Sequence, residues 1–325
     1  MHTLKAQLTE LANDPRYDKE LWSFAYEVYP YLKDTSDEEL DYRYDCLCRN
    51  IAHLFNDQRY IIPEKVAFVS SWWWLSIYEH TLFEYKTRKR EPIESCYSIP
   101  TDPIWPQGFT PTTLGSSGYI VRYSRHEFIK KTLETGHLRF AAASSYSECP
   151  LDKARFDNEC EVCCYSPGSF TTITTEGGEQ IPIIGELKKS RKSQTDYNLL
   201  CFSREFDPRL ADIFSATACL VIWDIEEFEH RVSTVLRLSR LPFSFHSLPV
   251  LYYDSRNVRP QQLMIPGSCK EFSFAYQREH RLIFQPNGVI PKSRALELMV
   301  GPLEDIAGMY SISGQFLGIG SDLRR

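Results

Sequence analysis

The sequence predicts an α+β protein in which an all-helical N-terminal domain precedes a mixed β-sheet domain. Apolar residues recur at three- and four-residue spacing in the first 90 residues, which is typical of helices. Five prolines follow between residues 91 and 113, and short β-branched runs with few helical segments come after them. We therefore predict a helical domain over residues 1–90, a proline-rich linker over 91–117 and a second domain over 118–325. A chain of 325 residues with 42% hydrophobic content is large enough for two such domains.

Two helices are predicted in the first domain. Ser36 and Glu39 form a capping box at the start of the first, because a hydroxyl there can cap the first turn and the carboxylate can bond back. The second begins after Pro63 and runs through three tryptophans to a basic end at residues 86–90. Consecutive helical residues point about 100° apart, so we expect at least one of these tryptophans to meet another helix, the second domain or a partner.

The second domain is predicted to alternate short strands with a few helices. A strand at residues 118–123 leads through a capping box at Ser124 and Glu127 into a helix that stops at Gly136, and a second strand follows at 137–143. Further strands are predicted at residues 198–203, 218–223, 249–253 and 280–285, and a helix at 225–237. This order favours a mixed α+β sheet over a doubly wound parallel one.

Composition excludes several classes of protein. No signal peptide and no apolar run of spanning length occurs, so we expect a cytoplasmic protein with no membrane contact. Ten cysteines without an export signal argue for reduced thiols. The one C-x₂-C, Cys160 and Cys163, lacks a second ligand pair, so no metal site is predicted.

The charge is unevenly distributed. Residues 1–115 hold 12 basic and 18 acidic side chains, which accounts for the whole formal charge of −6 and leaves residues 116–325 neutral. This is not the pattern of a domain that binds nucleic acid over its whole surface. The basic run at residues 188–192 could contact phosphates or form a solvated loop.

Common catalytic motifs are absent from the sequence. It has no G-x-x-x-x-G-K-[ST], no H-E-x-x-H, no G-x-S-x-G and no G-x-G-x-x-G. Three shorter motifs stand beside predicted strands. They are Arg122-Tyr123 at the end of the first strand, Ser144-Ser145-Tyr146 after the second, and Gln277 with Glu279 before the strand at 280–285.

The order of these three motifs resembles the arginine–serine–glutamate arrangement of the ADP-ribosyltransferase-like superfamily. The chain also looks like an uncharacterised bacterial branch within or near that superfamily. That likeness is carried by residues 138–145, 151–159, 200–203, 207–210, 219–222 and 276–284. It covers roughly residues 118–290 and says nothing about residues 1–115.

The resemblance implies a role for each motif. Glu279 would bind a ribose hydroxyl of NAD⁺ and stabilise the ribose cation that forms when the nicotinamide bond breaks, as in glycoside cleavage. Gln277, on the same side of an extended backbone, would orient the acceptor. Arg122 would bind the pyrophosphate, because a guanidinium fork matches phosphate oxygens.

The remaining roles have more than one candidate. Either Ser144 or Ser145 would fix the end of the second strand against the glutamate or the ribose. Tyr123 or Tyr146 would stack on the nicotinamide ring. Arg155, in a polar stretch at residues 155–159, competes with Arg122 for the phosphates, or is a surface residue held by its own salt bridges.

The function implied is a mono-ADP-ribosyltransferase that moves ADP-ribose from its substrate NAD⁺ to a macromolecule, either protein or nucleic acid. The helical domain would select that acceptor or bind an antitoxin or other regulatory partner. Bacterial relatives by resemblance include toxins and anti-phage effectors. Two alternatives are an NAD⁺ hydrolase that uses the same site, and a non-catalytic binding module on the same fold.

Overall fold

The computed structural model describes Leu8 and residues 17–54, 71–97, 106–109, 118–148, 157–257, 265–289 and 292–318. The helices, numbered in chain order, are α1 (Lys19–Val28), α2 (Asp37–Leu54), α3 (Ser71–Thr87), α4 (His126–Thr135), α5 (Pro208–Ile213) and α6 (Ile225–Ser239). The strands are β1 (Ile120–Ser124), β2 (His137–Ala142), β3 (Glu161–Pro167), β4 (Ile173–Thr174), β5 (Gln180–Ile181), β6 (Glu186–Lys192), β7 (Asn198–Ser203), β8 (Ala218–Ile222), β9 (Phe243–Pro249), β10 (Leu251–Tyr253), β11 (Cys269–Glu271), β12 (Glu279–Pro286), β13 (Leu296–Met299) and β14 (Ala307–Tyr310). Short 3₁₀ helices cover Ala143–Glu148, Gly168–Phe170 and Phe272–Gln277.

The predicted α+β class is confirmed. Helices α1, α2 and α3 precede an eight-stranded sheet with the order β13-β2-β7-β1-β8-β14, and β12 joins it by pairing with β7 and β9. One face of the sheet packs its apolar side chains against α4 and α6. No helix in the described residues is both long and apolar enough to cross a membrane.

The sheet divides along one edge of β7. On its other edge β7 pairs with β12 over its whole length, from Ser203 opposite Glu279 to Asn198 opposite Phe284. On the dividing edge Ser203 pairs with Val121 of β1, whereas Asn198 and Leu199 pair with β2. The two neighbouring strands therefore diverge from the middle of β7.

The start of α2 agrees with the prediction, whereas the start of α4 does not. Ser36 Oγ accepts from Glu39 N at 3.2 Å, and Ser36 N donates to Glu39 Oε2 at 3.2 Å, so the capping box at Ser36 is confirmed. The capping box at Ser124 is wrong, because Ser124 remains in β1 opposite Ala218. The α4 helix begins at His126, whose backbone N–H donates to Thr217 Oγ1 at 2.9 Å.

Gly136 ends α4 as predicted. It adopts φ 66° and ψ 25°, a left-handed conformation that glycine accommodates without steric cost. A β-carbon at this position would lie 2.0 Å from the carbonyl oxygen of Gly301. The strand predicted at 249–253 is in fact two, since β9 ends at Pro249 and β10 begins at Leu251.

The N-terminal helices and the second domain share one hydrophobic cluster. Side chains of α2 and α3 pack with Tyr252, Phe272 and other apolar side chains of the second domain. Trp74 is buried, and its ring centroid lies 6.1 Å from that of Phe272, so one of the three tryptophans does meet the second domain. A buried ion pair crosses the same contact, with Arg43 Nη2 2.6 Å from Asp254 Oδ2.

Candidate functional site

Glu279 is the first residue of β12, and its carboxylate is buried, with 4% of the residue exposed. Oε1 accepts from Arg281 Nε at 2.7 Å, and Oε2 accepts from Lys270 Nζ at 3.1 Å. Alternation along the strand explains the first contact, because residues two apart lie on the same face. The backbone N–H of Glu279 donates to Tyr252 Oη at 2.8 Å, which fixes the start of the strand.

Lys270 and Arg281 connect Glu279 to two further carboxylates. Arg281 Nη1 and Nη2 each lie 2.7 Å from an oxygen of Glu159, and Arg281 Nη1 also donates to the carbonyl of Gly267. Lys270 Nζ lies 3.4 Å from Glu159 and 3.9 Å from Asp157. Three carboxylates therefore surround two cations in a part of the protein from which water is largely excluded.

The charges within this network set the protonation of its members. Burial would raise the pKa of Glu279, but the charges of Arg281 and Lys270 outweigh burial and hold that pKa well below its usual range. Burial and the neighbouring Glu159 raise the pKa of Asp157 to about 6, against the opposing effect of Lys270. Glu279 is thus ionised at neutral pH, and the pKa of Asp157 lies closer to neutrality than that of Glu279.

Gln277 lies beside Glu279, although by a different route from the one predicted. It ends the 3₁₀ helix Phe272–Gln277 and does not lie on extended backbone, because the next residue, Arg278, is left-handed with φ 46° and ψ 50°. This turn still brings the two side chains together. Gln277 Oε1 accepts from Lys270 Nζ at 3.3 Å, so one ammonium group bonds both Gln277 and Glu279.

Helix α2 holds the 3₁₀ helix in place. Asn50 is fully buried; its Nδ2 donates to the carbonyl of Phe272 at 2.8 Å, and its Oδ1 accepts from the backbone N–H of Tyr276 at 2.8 Å. Arg278 donates to the carbonyl of His53 at 2.9 Å and pairs with Glu205. The N-terminal helices are therefore part of the scaffold that positions Gln277.

Arg122 and Tyr146 both lie near Cys201 of β7. Arg122 Nη1 donates to the carbonyl of Cys201 at 3.4 Å, in the middle of β7. Burial raises the pKa of Tyr146 well above its usual value, and nearby Cys201, Glu159 and Glu279 raise it further, whereas Arg122 lowers it. The Tyr146 side chain packs in the apolar cluster that contains Cys201, whose carbonyl accepts from Arg122.

The other predicted site residues make contacts elsewhere. Ser144 Oγ donates to Asp196 Oδ2 at 2.7 Å, and Ser145 Oγ donates to the carbonyl of Ala142 at 2.6 Å. Tyr123 is buried in an apolar cluster with Phe206, and its hydroxyl accepts from Asp207 N at 2.7 Å. Among the described residues, therefore, neither serine hydroxyl bonds Glu279. Tyr123 points into the core. Arg155 lies outside the described residues.

Sequence reasoning missed the cations of this network. The alternation of β12 could have identified Arg281, which follows Glu279 by two residues. Lys270 lies on a three-residue strand that has no periodic signal of its own. Comparison of the chain with models of protein families, with curated proteins and with solved structures finds no match.

Proposed function

We propose that this protein is a mono-ADP-ribosyltransferase that transfers ADP-ribose from NAD⁺ to a macromolecular acceptor. The observation that carries the proposal is the convergence of Gln277 and Glu279 on one point, since both accept from Lys270 Nζ. The nearby Arg122 and Tyr146 supply a guanidinium for phosphates and an aromatic ring. Such a set suits a substrate that carries two phosphates, a ribose and a nicotinamide ring.

The chemistry would proceed at C1′ of the nicotinamide ribose. The bond from C1′ to the nicotinamide nitrogen breaks, and its electron pair leaves with the ring as neutral nicotinamide. Glu279 stabilises the positive charge that develops on the ribose, because a buried ionised carboxylate interacts strongly with a nearby cation. A lone pair of the acceptor, oriented by Gln277, then bonds to C1′, and the acceptor releases a proton.

A second candidate function is a non-catalytic binding module on the same scaffold. The observation that favours it is that the Glu279 side chain is almost fully buried and that Arg281 and Lys270 bond its two oxygens. Catalysis requires substrate to replace Lys270 at Oε2. A binding module requires no such exchange.

NAD⁺ labelled in its adenylate half separates these functions. The wild type, Glu279→Gln and the exposed control Glu226→Gln are incubated with labelled NAD⁺ and a cell extract, and nicotinamide release is followed in parallel. Label on macromolecules with the wild type and the control, but not with Glu279→Gln, supports the transferase. Free ADP-ribose as the sole product indicates a hydrolase, and NAD⁺ binding without nicotinamide release indicates the binding module.

A further inference from the structure

Strands β3 and β6 form a two-stranded antiparallel ribbon that begins at the candidate site. Seven residue pairs join them, from Glu161 opposite Lys192 to Pro167 opposite Glu186. The first strand starts two residues after Glu159, which bonds both Arg281 and Lys270. The backbone N–H of Ser193 donates to the carbonyl of Cys160 at 2.8 Å and closes the base of the ribbon. The ribbon therefore extends outward from the network around Glu279.

One strand of this ribbon is basic and exposed. The basic run at residues 188–192 is not a loop; it forms most of β6, and all five of its residues are exposed. Four of them are lysine or arginine: Lys188, Lys189, Arg191 and Lys192. They extend about 13 Å along the strand at the usual rise per residue. A cluster of this kind stands out within residues 116–325, whose formal net charge is zero.

The same ribbon carries a half-buried aromatic side chain between cations. Lys188 pairs with Tyr165, so the two side chains lie on one face, and Lys188 Nζ is 6.0 Å from the ring centroid. Arg256 lies 4.9 Å from the same centroid, but it is buried and paired with Glu39 and Glu186, so Lys188 is the exposed cation beside the ring. Basic side chains that flank an aromatic ring are the usual elements of a surface that binds single-stranded nucleic acid.

The ribbon lies next to the candidate site, because β3 starts two residues after Glu159, whose carboxylate contacts both Arg281 and Lys270. The ammonium of Lys270 also bonds Gln277, the residue that would orient the acceptor. A nucleic acid docked on the ribbon would therefore lie near that residue.

We propose that the β3–β6 ribbon docks single-stranded nucleic acid and that nucleic acid is the acceptor class of the site. The second half of this inference rests on the proposed transferase function. Docking on the ribbon does not, because binding requires neither NAD⁺ nor catalysis. Both DNA and RNA carry the phosphodiester chemistry that the ribbon would recognise.

The docking step is tested by fluorescence anisotropy with labelled 20-nucleotide DNA and RNA strands in the absence of NAD⁺. The variant K188Q/K189Q/K192Q removes three ribbon charges, and K33Q/K130Q/K131Q removes three exposed charges elsewhere. We expect the ribbon variant to bind roughly tenfold or more weakly and to reduce the slope of log K against log [salt] by about 2, since each phosphate contact contributes about 0.7 on single strands. The control variant should stay within about twofold of the wild type. Tyr165→Leu, which replaces the aromatic ring by an aliphatic side chain, should weaken binding about fivefold or more through lost stacking.

Three results would overturn the docking proposal: absence of binding by the wild type, equal loss of affinity in both triple variants, or equal competition by polyglutamate at matched charge.

The acceptor class is tested separately, by treating the products of the labelled NAD⁺ reaction with nuclease or with protease. Label removed by nuclease supports the inference, and the DNA and RNA arms identify the strand. Label removed only by protease refutes nucleic acid as the acceptor while leaving the transferase intact. If the ribbon binds nucleic acid but the protein turns over no NAD⁺, the transferase function and the acceptor class are both refuted. The docking proposal then still stands.

Discussion

Lys270 and Glu279 form a buried ion pair in which the ammonium nitrogen lies 3.1 Å from Oε2 and also donates to Gln277 at 3.3 Å. The two residues are nine positions apart, on different strands, and the 3₁₀ helix between them folds back against α2. The carboxylate proposed for catalysis is therefore held by a cation that comes from the segment just before it. The stability of the site and its function are linked through this one contact.

Removal of Lys270 should destabilise the protein strongly. Lys270→Met leaves the buried carboxylates of Glu159 and Glu279 with Arg281 as their nearest cation, and we expect a loss of about 3–5 kcal/mol in the free energy of unfolding. Adding Asp157→Asn restores the net charge of the network and should recover a substantial part of the loss. Urea denaturation of the single and double variants measures both. The exposed pair Lys292–Glu148 provides the control, since solvent screens that pair and Lys292→Met should cost far less than Lys270→Met. Equal losses in Lys270→Met and Lys292→Met would contradict a stabilising role for the pair.

The pH dependence of stability should report Asp157. Its pKa is raised to about 6 in the folded protein, above the value of about 3.9 usual for aspartate. Between these values the folded state holds the proton more tightly than the unfolded state, so the contribution of Asp157 to stability falls as pH rises from about 4 to about 6. We expect the stability of Asp157→Asn relative to the wild type to increase across that window and then to level off. A difference that is constant from pH 4 to pH 7 would contradict the raised pKa.

Asn50 should be required for the order of the segment that carries Gln277. Asn50→Ala removes the partners of the Phe272 carbonyl and the Tyr276 amide, both buried, at about 1–3 kcal/mol for each unsatisfied group. Chemical denaturation should show the loss, and hydrogen exchange should show faster exchange at residues 272–277. Asn158→Ala is the matched control, because the Asn158 side chain is exposed and donates to the side chain of Glu161, and its backbone bond to Glu161 is kept in the variant. Unchanged exchange in this segment would mean that α2 does not position it.

Two glycines with the same backbone conformation should respond differently to alanine. Gly118 has φ 68° and Gly136 has φ 66°, so a side chain pays a similar conformational cost of about 1–2 kcal/mol at either position. Space around the added methyl group differs: no atom of the described residues lies within 4 Å at Gly118, whereas the Gly301 carbonyl oxygen would be 2.0 Å away at Gly136. Gly136→Ala should therefore lose at least twice as much thermal stability as Gly118→Ala. Similar melting temperatures for the two variants would contradict the close approach of Gly301.

Local patterns in the sequence predicted most of the elements of the fold. The capping box at Ser36, the stop at Gly136 and the short apolar runs of β1, β7, β8 and β12 are signals confined to a few neighbouring residues, and the structure confirms them. The start predicted for α4 is wrong because a residue distant in sequence contacts the first turn of that helix. Thr217, 91 residues away in sequence, supplies the hydroxyl that Ser124 was expected to provide.

The candidate site was predictable only in part for the same reason. Gln277 and Glu279 share a short motif, but their side chains meet through a left-handed turn at Arg278 that the motif does not encode. Lys270 and Glu159 join them from segments up to 120 residues apart in sequence, and no local pattern marks that contact. The serine hydroxyls were assigned from their position after β2, but the structure bonds Ser144 to Asp196.

Nicotinamide release from NAD⁺ by the wild type and by Glu279→Gln tests the central claim most directly. The substitution keeps the shape of the side chain and removes the charge that would stabilise the ribose cation. We expect the wild type and the Glu226→Gln control to release nicotinamide at similar rates. The rate in Glu279→Gln should be roughly 100-fold or more lower, as for other removals of electrostatic stabilisation. Equal release by the wild type and Glu279→Gln would show that the carboxylate held by Lys270 is not the catalytic group, which would contradict the proposed transferase mechanism.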